Sequence, residues 1–214
     1  MTTPRWPVVL FDLDGTLVDT INLIVTSYQH AFRTVVGHEW PEAEIKSWIG
    51  TSLIDAFRAA LGTKKGEKAF AVYTAFNQEH TEELIKGYAG VPELIDALRE
   101  AGVRMGVVTS KRREPAEWAL RLGHLDLPVV IAHEDVTAHK PDPAPLLAGL
   151  EKLGASADEV VYVGDAVVDI KAARAAGLPC LSVSWGAGVR ADLEEAHPEG
   201  IADTAAELGR LLLG

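Results

Sequence analysis

Five short apolar runs, separated by stretches of helical periodicity, constrain the fold of this chain more than any other feature. They cover residues 8–11, 104–109, 129–132, 160–163 and 180–184. Runs this short, apolar and rich in β-branched residues read as strands buried on both faces. Strands alternating with helices build a parallel sheet with helices on both sides, so the predicted class is α/β with three layers. In such sheets ligands sit beyond the carboxyl ends of the strands. Asp12, Thr109-Ser110 and Asp165 fall at those ends, and Lys140 follows the third run through a loop.

The stretch from Leu17 to Gly87 has no clear strand and reads as four helices. The first carries Leu17, Ile21, Ile24, Val25, Tyr28 and Phe32 at helical spacing. Pro41 suits the first turn of the second, Gly50 and Gly62 bracket a third, and 67–86 offers a fourth. Later helices are predicted from Pro92 to Gly102, from an Asp142 cap and Pro143 to Gly154, from Asp165 to Gly177, and over 203–213.

Directly after the first run stands Asp12-Leu13-Asp14-Gly15-Thr16. Alternation along a strand lets Asp12 and Asp14 project together while Leu13 faces the other way. Gly15 permits a sharp turn, and Thr16 with Asp19 three residues later predicts a helix start there. Two convergent carboxylates at the end of a buried strand are costly unless a cation or a reaction uses them. Metal-assisted phosphoryl chemistry is the natural reading. Alone, the motif could equally be a turn with one Asp capping a helix and the other solvated. Three further pieces follow in order: Val107-Val108-Thr109-Ser110, Lys140-Pro141-Asp142-Pro143, and Gly164-Asp165 with Asp169.

In these four motifs the chain resembles the haloacid dehalogenase-like hydrolases, in particular the phosphatases with a helical cap such as phosphoglycolate phosphatases. The resemblance implies a Rossmann-like core over 1–16 and 88–214, with an α-helical cap over 17–87 inserted after the first strand. It implies that Asp12 is the nucleophile that becomes an aspartyl-phosphate, that Asp14 is the general acid and base, and that Lys140 neutralises charge. Mg²⁺ would be held by Asp12, the backbone carbonyl of Asp14, and Asp165. Thr109 would bind the phosphoryl oxygens with Ser110 lining the pocket, although such a pair most often caps a helix. Asp169 would orient Lys140 or metal-bound water. The plain alternative for Asp165 and Asp169 is helix N-terminal charge complementing the dipole.

The resemblance makes a phosphatase for a small phosphorylated metabolite the leading expectation, with phosphoglycolate first. An inorganic pyrophosphatase of the same fold is the alternative, followed by a β-phosphoglucomutase-like phosphotransferase. Asp14 speaks against dehalogenation, because dehalogenases lack that second acid. A binding protein on a dead core would be expected to lose Asp12, Asp14, Lys140 or Asp165. A net charge of −11 disfavours a nucleic-acid partner. Residues 1–7 lead straight into the first strand, so no signal peptide is expected, and no apolar run is long enough to span a bilayer. A cytoplasmic monomer or dimer is expected. The lone Cys180 is expected in a buried strand.

Other residues get plainer readings. His133 and His139 are expected to be solvated in a loop, and Lys111, Arg112 and Arg113 to form a solvated helix start that could instead read a second anion. The scattered tryptophans are expected to pack; the segment around Trp48 is where resembling proteins aim a cap loop at the substrate, with surface packing the equal alternative. Lys46, Arg33 and Arg58 are the cap cations considered for a substrate carboxylate.

Overall fold

The computed structural model describes residues 4–214; the expectation about the chain's start falls partly on residues 1–3, outside the described residues. Strand β1 (Val8–Phe11) lies inside a six-stranded sheet, paired in parallel with β4 (Arg104–Val108) and β6 (Val160–Gly164). Beyond β4 lies β5 (Val129–Ile131); beyond β6 lie β7 (Cys180–Val183) and β8 (Gly200–Ala202), giving the order β5-β4-β1-β6-β7-β8. Every pairing in this sheet is parallel.

Side-chain alternation along β1 divides the core. Val9 and Phe11 pack with helices α5 (Val91–Glu100), α6 (Arg113–Leu122) and α10 (Ala205–Leu213). Val8 and Leu10 pack on the opposite face with α7 (Ala144–Leu153), α8 (Val167–Ala175) and α9 (Arg190–Glu195). Burial on both faces explains why the central strands are continuous apolar runs. The protein is therefore a three-layer, Rossmann-like α/β fold. Cys180 is buried in β7.

Helices α1 (Ile21–Val36), α2 (Glu42–Trp48), α3 (Leu53–Leu61) and α4 (Thr63–Leu84) bury a separate cluster that includes Tyr28, Phe32, Ile45, Phe57 and Tyr73. The chain enters and leaves this segment through an antiparallel pair, β2 (Val18–Asp19) and β3 (Lys86–Gly87). No helix among the described residues is long and apolar enough to cross a membrane.

Four local expectations need correction; one is that the segment 17–87, read as having no clear strand, begins and ends in the two-residue strands β2 and β3. No helix opens at Thr16: the backbone turns back on Leu13, whose carbonyl accepts from the amides of residues 16, 17 and 18. The first helix starts at Ile21 instead, where Asp19 accepts from the Ile21 amide at 3.3 Å. The fourth helix begins at Thr63, not Glu67, because Gly66, a poor helix former, is buried inside it where α4 packs closely on the α3 backbone. Strand β8 was not foreseen; as a three-residue edge strand it needs no apolar run.

Candidate active site

Strands β1, β4 and β6 deliver the motifs to one end of the sheet. Asp12, just past β1, is 1% exposed and accepts an ion pair from Lys140 Nζ at 3.0 Å. Lys140, 2% exposed, also pairs with Asp169 Oδ1 at 2.6 Å and donates to the Tyr162 hydroxyl at 3.1 Å. Asp169 Oδ2 accepts from the Ala166 amide at 3.0 Å, which ties the carboxylate to the first turn of α8. Asp165 stands between these groups and the turn after β1. Its Oδ1 accepts from Thr16 Oγ1 at 3.1 Å and its Oδ2 from the Ala187 amide at 2.7 Å.

Two glycines make this approach possible. A Cβ on Gly15, whose φ is +81°, would lie 2.4 Å from Asp165 Oδ2. One on Gly186 would lie 2.2 Å from the same oxygen. Side chains at either position would push Asp165 out of the site.

Carboxylate oxygens of Asp12, Asp165 and Asp169 all lie within 4.8 Å of one another. Three carboxylates against the single Lys140 ammonium leave a formal charge of −3 + 1 = −2 in a buried space. The cost is visible in the acidities. Burial pushes Asp12 up to about 7, more than the neighbouring Lys140 can offset. Burial, with Asp169 and Asp12 adding to it, drives Asp165 well above the usual carboxylate range. Burial works against the charge on Lys140, yet Asp12 and Asp169 outweigh it and hold the ammonium above its ordinary range. Asp12 Oδ1 is buried with no hydrogen-bond partner. A hard divalent cation fits this donor set: it would satisfy that oxygen and cancel the surplus charge. Asp12 offers its unpartnered oxygen to such an ion; Asp165, held by two neutral donors, could join it, whereas Asp169 is already paired with the Lys140 ammonium.

Asp14 stands apart from that cluster. It accepts from Thr20 Oγ1 at 2.6 Å and pairs with Lys111 Nζ at 2.9 Å. Its carboxyl therefore sits in surroundings unlike those of Asp12. Thr109 is buried, with its hydroxyl accepting from the Lys111 amide at 3.1 Å. Ser110 donates to the Gly50 carbonyl at 2.8 Å, bridging the strand end to the helical segment. Both line a cavity of about 190 Å³ that Asp12 and Asp14 also line.

The structure thus joins Asp12, Lys140 and Asp169, sets Asp165 within 4.8 Å of both carboxylates, and places Asp14, Thr109 and Ser110 on the adjoining cavity. Other expectations change. Lys111 is not part of a solvated helix start; its side chain is only 12% exposed and it is paired with Asp14. Its position directly after Thr109-Ser110 was the available signal. Thr16 braces Asp165 instead of capping a helix, and Tyr162 supports Lys140; neither role has a local sequence mark. Lys46, Arg33 and Arg58 pair on the surface with Glu42, Glu39 and Glu67, and none lines the cavity. His133 and His139 are half-buried and stacked, with ring centroids 4.1 Å apart. Trp48 packs near Tyr28 and lines the cavity.

The family profile of haloacid dehalogenase-like hydrolases matches residues 9–183. A pyrophosphatase PpaX of Bacillus mycoides is 37% identical over 202 residues, covering 94% of both chains. The structure of a hydrolase from Pseudomonas syringae superposes with a TM-score of 0.87 at 25% identity, covering 95% of this chain and 96% of that one. A candidate phosphoglycolate phosphatase from Lactobacillus plantarum gives 0.82 at 26% identity, covering 99% of this chain and 100% of the other. Fold, motif order and similarity agree, and the chain belongs to the haloacid dehalogenase-like hydrolases.

Proposed function

We propose that this phosphatase hydrolyses a small phosphorylated metabolite through an aspartyl-phosphate on Asp12, with Mg²⁺ as the cation. The observation that carries the reading is the Asp12 carboxylate: one oxygen is paired with Lys140, the other is buried and unpartnered, and the group lies within 4.8 Å of an Asp165 oxygen. Asp12, Asp165 and the backbone carbonyl of Asp14 would hold the ion. When bound, Mg²⁺ would keep Asp12 ionised and neutralise phosphoryl oxygens.

Asp12 attacks phosphorus, and the bond from phosphorus to the departing oxygen breaks. Asp14 gives that oxygen a proton. It then takes one from the water that cleaves the acyl phosphate, freeing Asp12 and inorganic phosphate. General acid–base help of this kind is worth about 10²–10⁴ in rate. Lys140 offsets charge on Asp12 throughout, with Asp169 and Tyr162 fixing its position. Thr109 holds a phosphoryl oxygen, and residues 17–87 act as a cap over the core of residues 1–16 and 88–214. The β2–β3 pair is the natural hinge, and cap closure would exclude water during transfer.

Pyrophosphate is the first substrate to test. Relatives at 37% identity carry the name pyrophosphatase, and Lys111 and Arg112 line the core side of the cavity, where a second phosphate would lie. Phosphoglycolate is the second, suggested by structural neighbours. Its carboxylate would find no Lys or Arg on the cap wall. A cytoplasmic setting suits such metabolites. Phosphate release should be measured for pyrophosphate, phosphoglycolate, sugar phosphates and nucleotides, with and without Mg²⁺, for the native chain and Asp12→Asn. Turnover that persists in Asp12→Asn would remove the covalent route, and turnover indifferent to Mg²⁺ would remove the metal.

A further inference from the structure

The cavity above Asp12 is sorted by charge. All its charged lining residues (Asp12, Asp14, Lys111, Arg112 and Glu114) come from the core side. Residues 17–87 contribute no Asp, Glu, Lys or Arg to it. Their wall is made chiefly of Ile24, Tyr28, Leu53, Ile54, Phe70 and Tyr73, with uncharged Thr74, Asn77 and Gln78 among them. Burial raises the Tyr28 and Tyr73 phenols well above their ordinary range, so both stay neutral.

An anion pressed against such a wall would give up its hydration with no cation in return. An apolar group would instead exchange water for aromatic and aliphatic contacts. Size agrees with this. The whole cavity is about 190 Å³ and a dry apolar cavity of roughly 150 Å³ admits benzene, so with the phosphoryl end also inside, the organic part is limited to about one ring. Pyrophosphate, served by Lys111 and Arg112, would leave the cap half of this space without complementary contacts.

We propose that the cap half is a subsite for an uncharged apolar group of ring size, so that phosphomonoesters of apolar alcohols form a second substrate class beside pyrophosphate. The inference rests on the phosphatase reading above. The bonds made and broken are those already given, with the apolar alcohol as the departing group and one water consumed.

The test compares kcat/KM for ethyl, n-butyl and benzyl phosphate, alongside phosphoglycolate and pyrophosphate, with Mg²⁺ present. The esters share similar leaving-group chemistry, so a trend among them reports binding of the organic part. We expect kcat/KM to rise at least about tenfold from ethyl to benzyl phosphate, with benzyl phosphate ahead of phosphoglycolate. Ile54, half-buried on the cap wall, gives a reciprocal variant. Ile54→Lys should lower the ratio of benzyl phosphate to phosphoglycolate turnover at least about tenfold. A flat ester series in the native chain, with pyrophosphate still turned over, overturns the subsite alone. Absence of turnover with every compound would overturn the phosphatase reading and the subsite with it.

Discussion

Replacing Lys140 by Met removes the one cation from a buried group of three carboxylates, at little change in side-chain volume. The ammonium reaches Asp12 at 3.0 Å and Asp169 at 2.6 Å, and its side chain has no solvent exposure. Breaking a buried pair by deleting one partner typically costs about 3–5 kcal/mol, because the remaining charge is left uncompensated. For a chain of this size each kcal/mol moves Tm by about 2–4 °C, so a fall of roughly 6–20 °C is expected at pH 8 without metal. The loss should shrink at pH 5, where the orphaned carboxylates can take up protons. A second change, Asp169→Asn, removes one of them, so Lys140→Met/Asp169→Asn should be more stable than Lys140→Met alone. Urea and thermal unfolding of the native chain, both single variants and the double variant, at the two pH values, measure all of this. A Lys140→Met protein within about 1 kcal/mol of the native one at pH 8 would refute the charge-compensation argument. So would a double variant less stable than Lys140→Met.

Further outcomes follow from the same geometry. In chelator the native chain should lose stability as pH rises: Asp12 titrates near 7 when folded but near 3.8 when unfolded. Between those values the folded state binds more protons, so the stabilisation is full below about 4 and gone above about 7, a change on the order of a few kcal/mol. Added Mg²⁺ should flatten that profile, and urea midpoints between pH 4 and 8 with and without the ion decide the matter. Gly186→Ala places a Cβ within 2.2 Å of Asp165 Oδ2 and should weaken Mg²⁺ activation about 10–100-fold, read from the metal concentration giving half-maximal phosphate release. Unchanged half-saturation would mean that Asp165 is not a ligand. Ser110→Ala removes the 2.8 Å bond to Gly50 and should cost about 0.5–1.5 kcal/mol, appearing mainly in KM. A loss in kcat alone of a hundredfold or more would instead place Ser110 on the transferring phosphoryl group.

Local pattern determined a good deal about this protein. Apolar runs bounded by helical periodicity specified a parallel α/β sheet, because burial on both faces leaves only that composition for a strand. The motif ends of 8–11, 104–109 and 160–163 converge because parallel strands all present their carboxyl ends on one side. Contacts across large sequence separations were decided only in three dimensions. Lys111 meets Asp14 across 97 residues, and Thr16 meets Asp165 across 149. Neither pair is written in the periodicity of its own segment, since amphipathic spacing records which face is buried and not what lies opposite. The same limit hid β8, an edge strand short enough to lack a pattern. It also hid the uncharged wall of the cavity, because residues from α1, α3 and α4 form one surface only after those helices pack together.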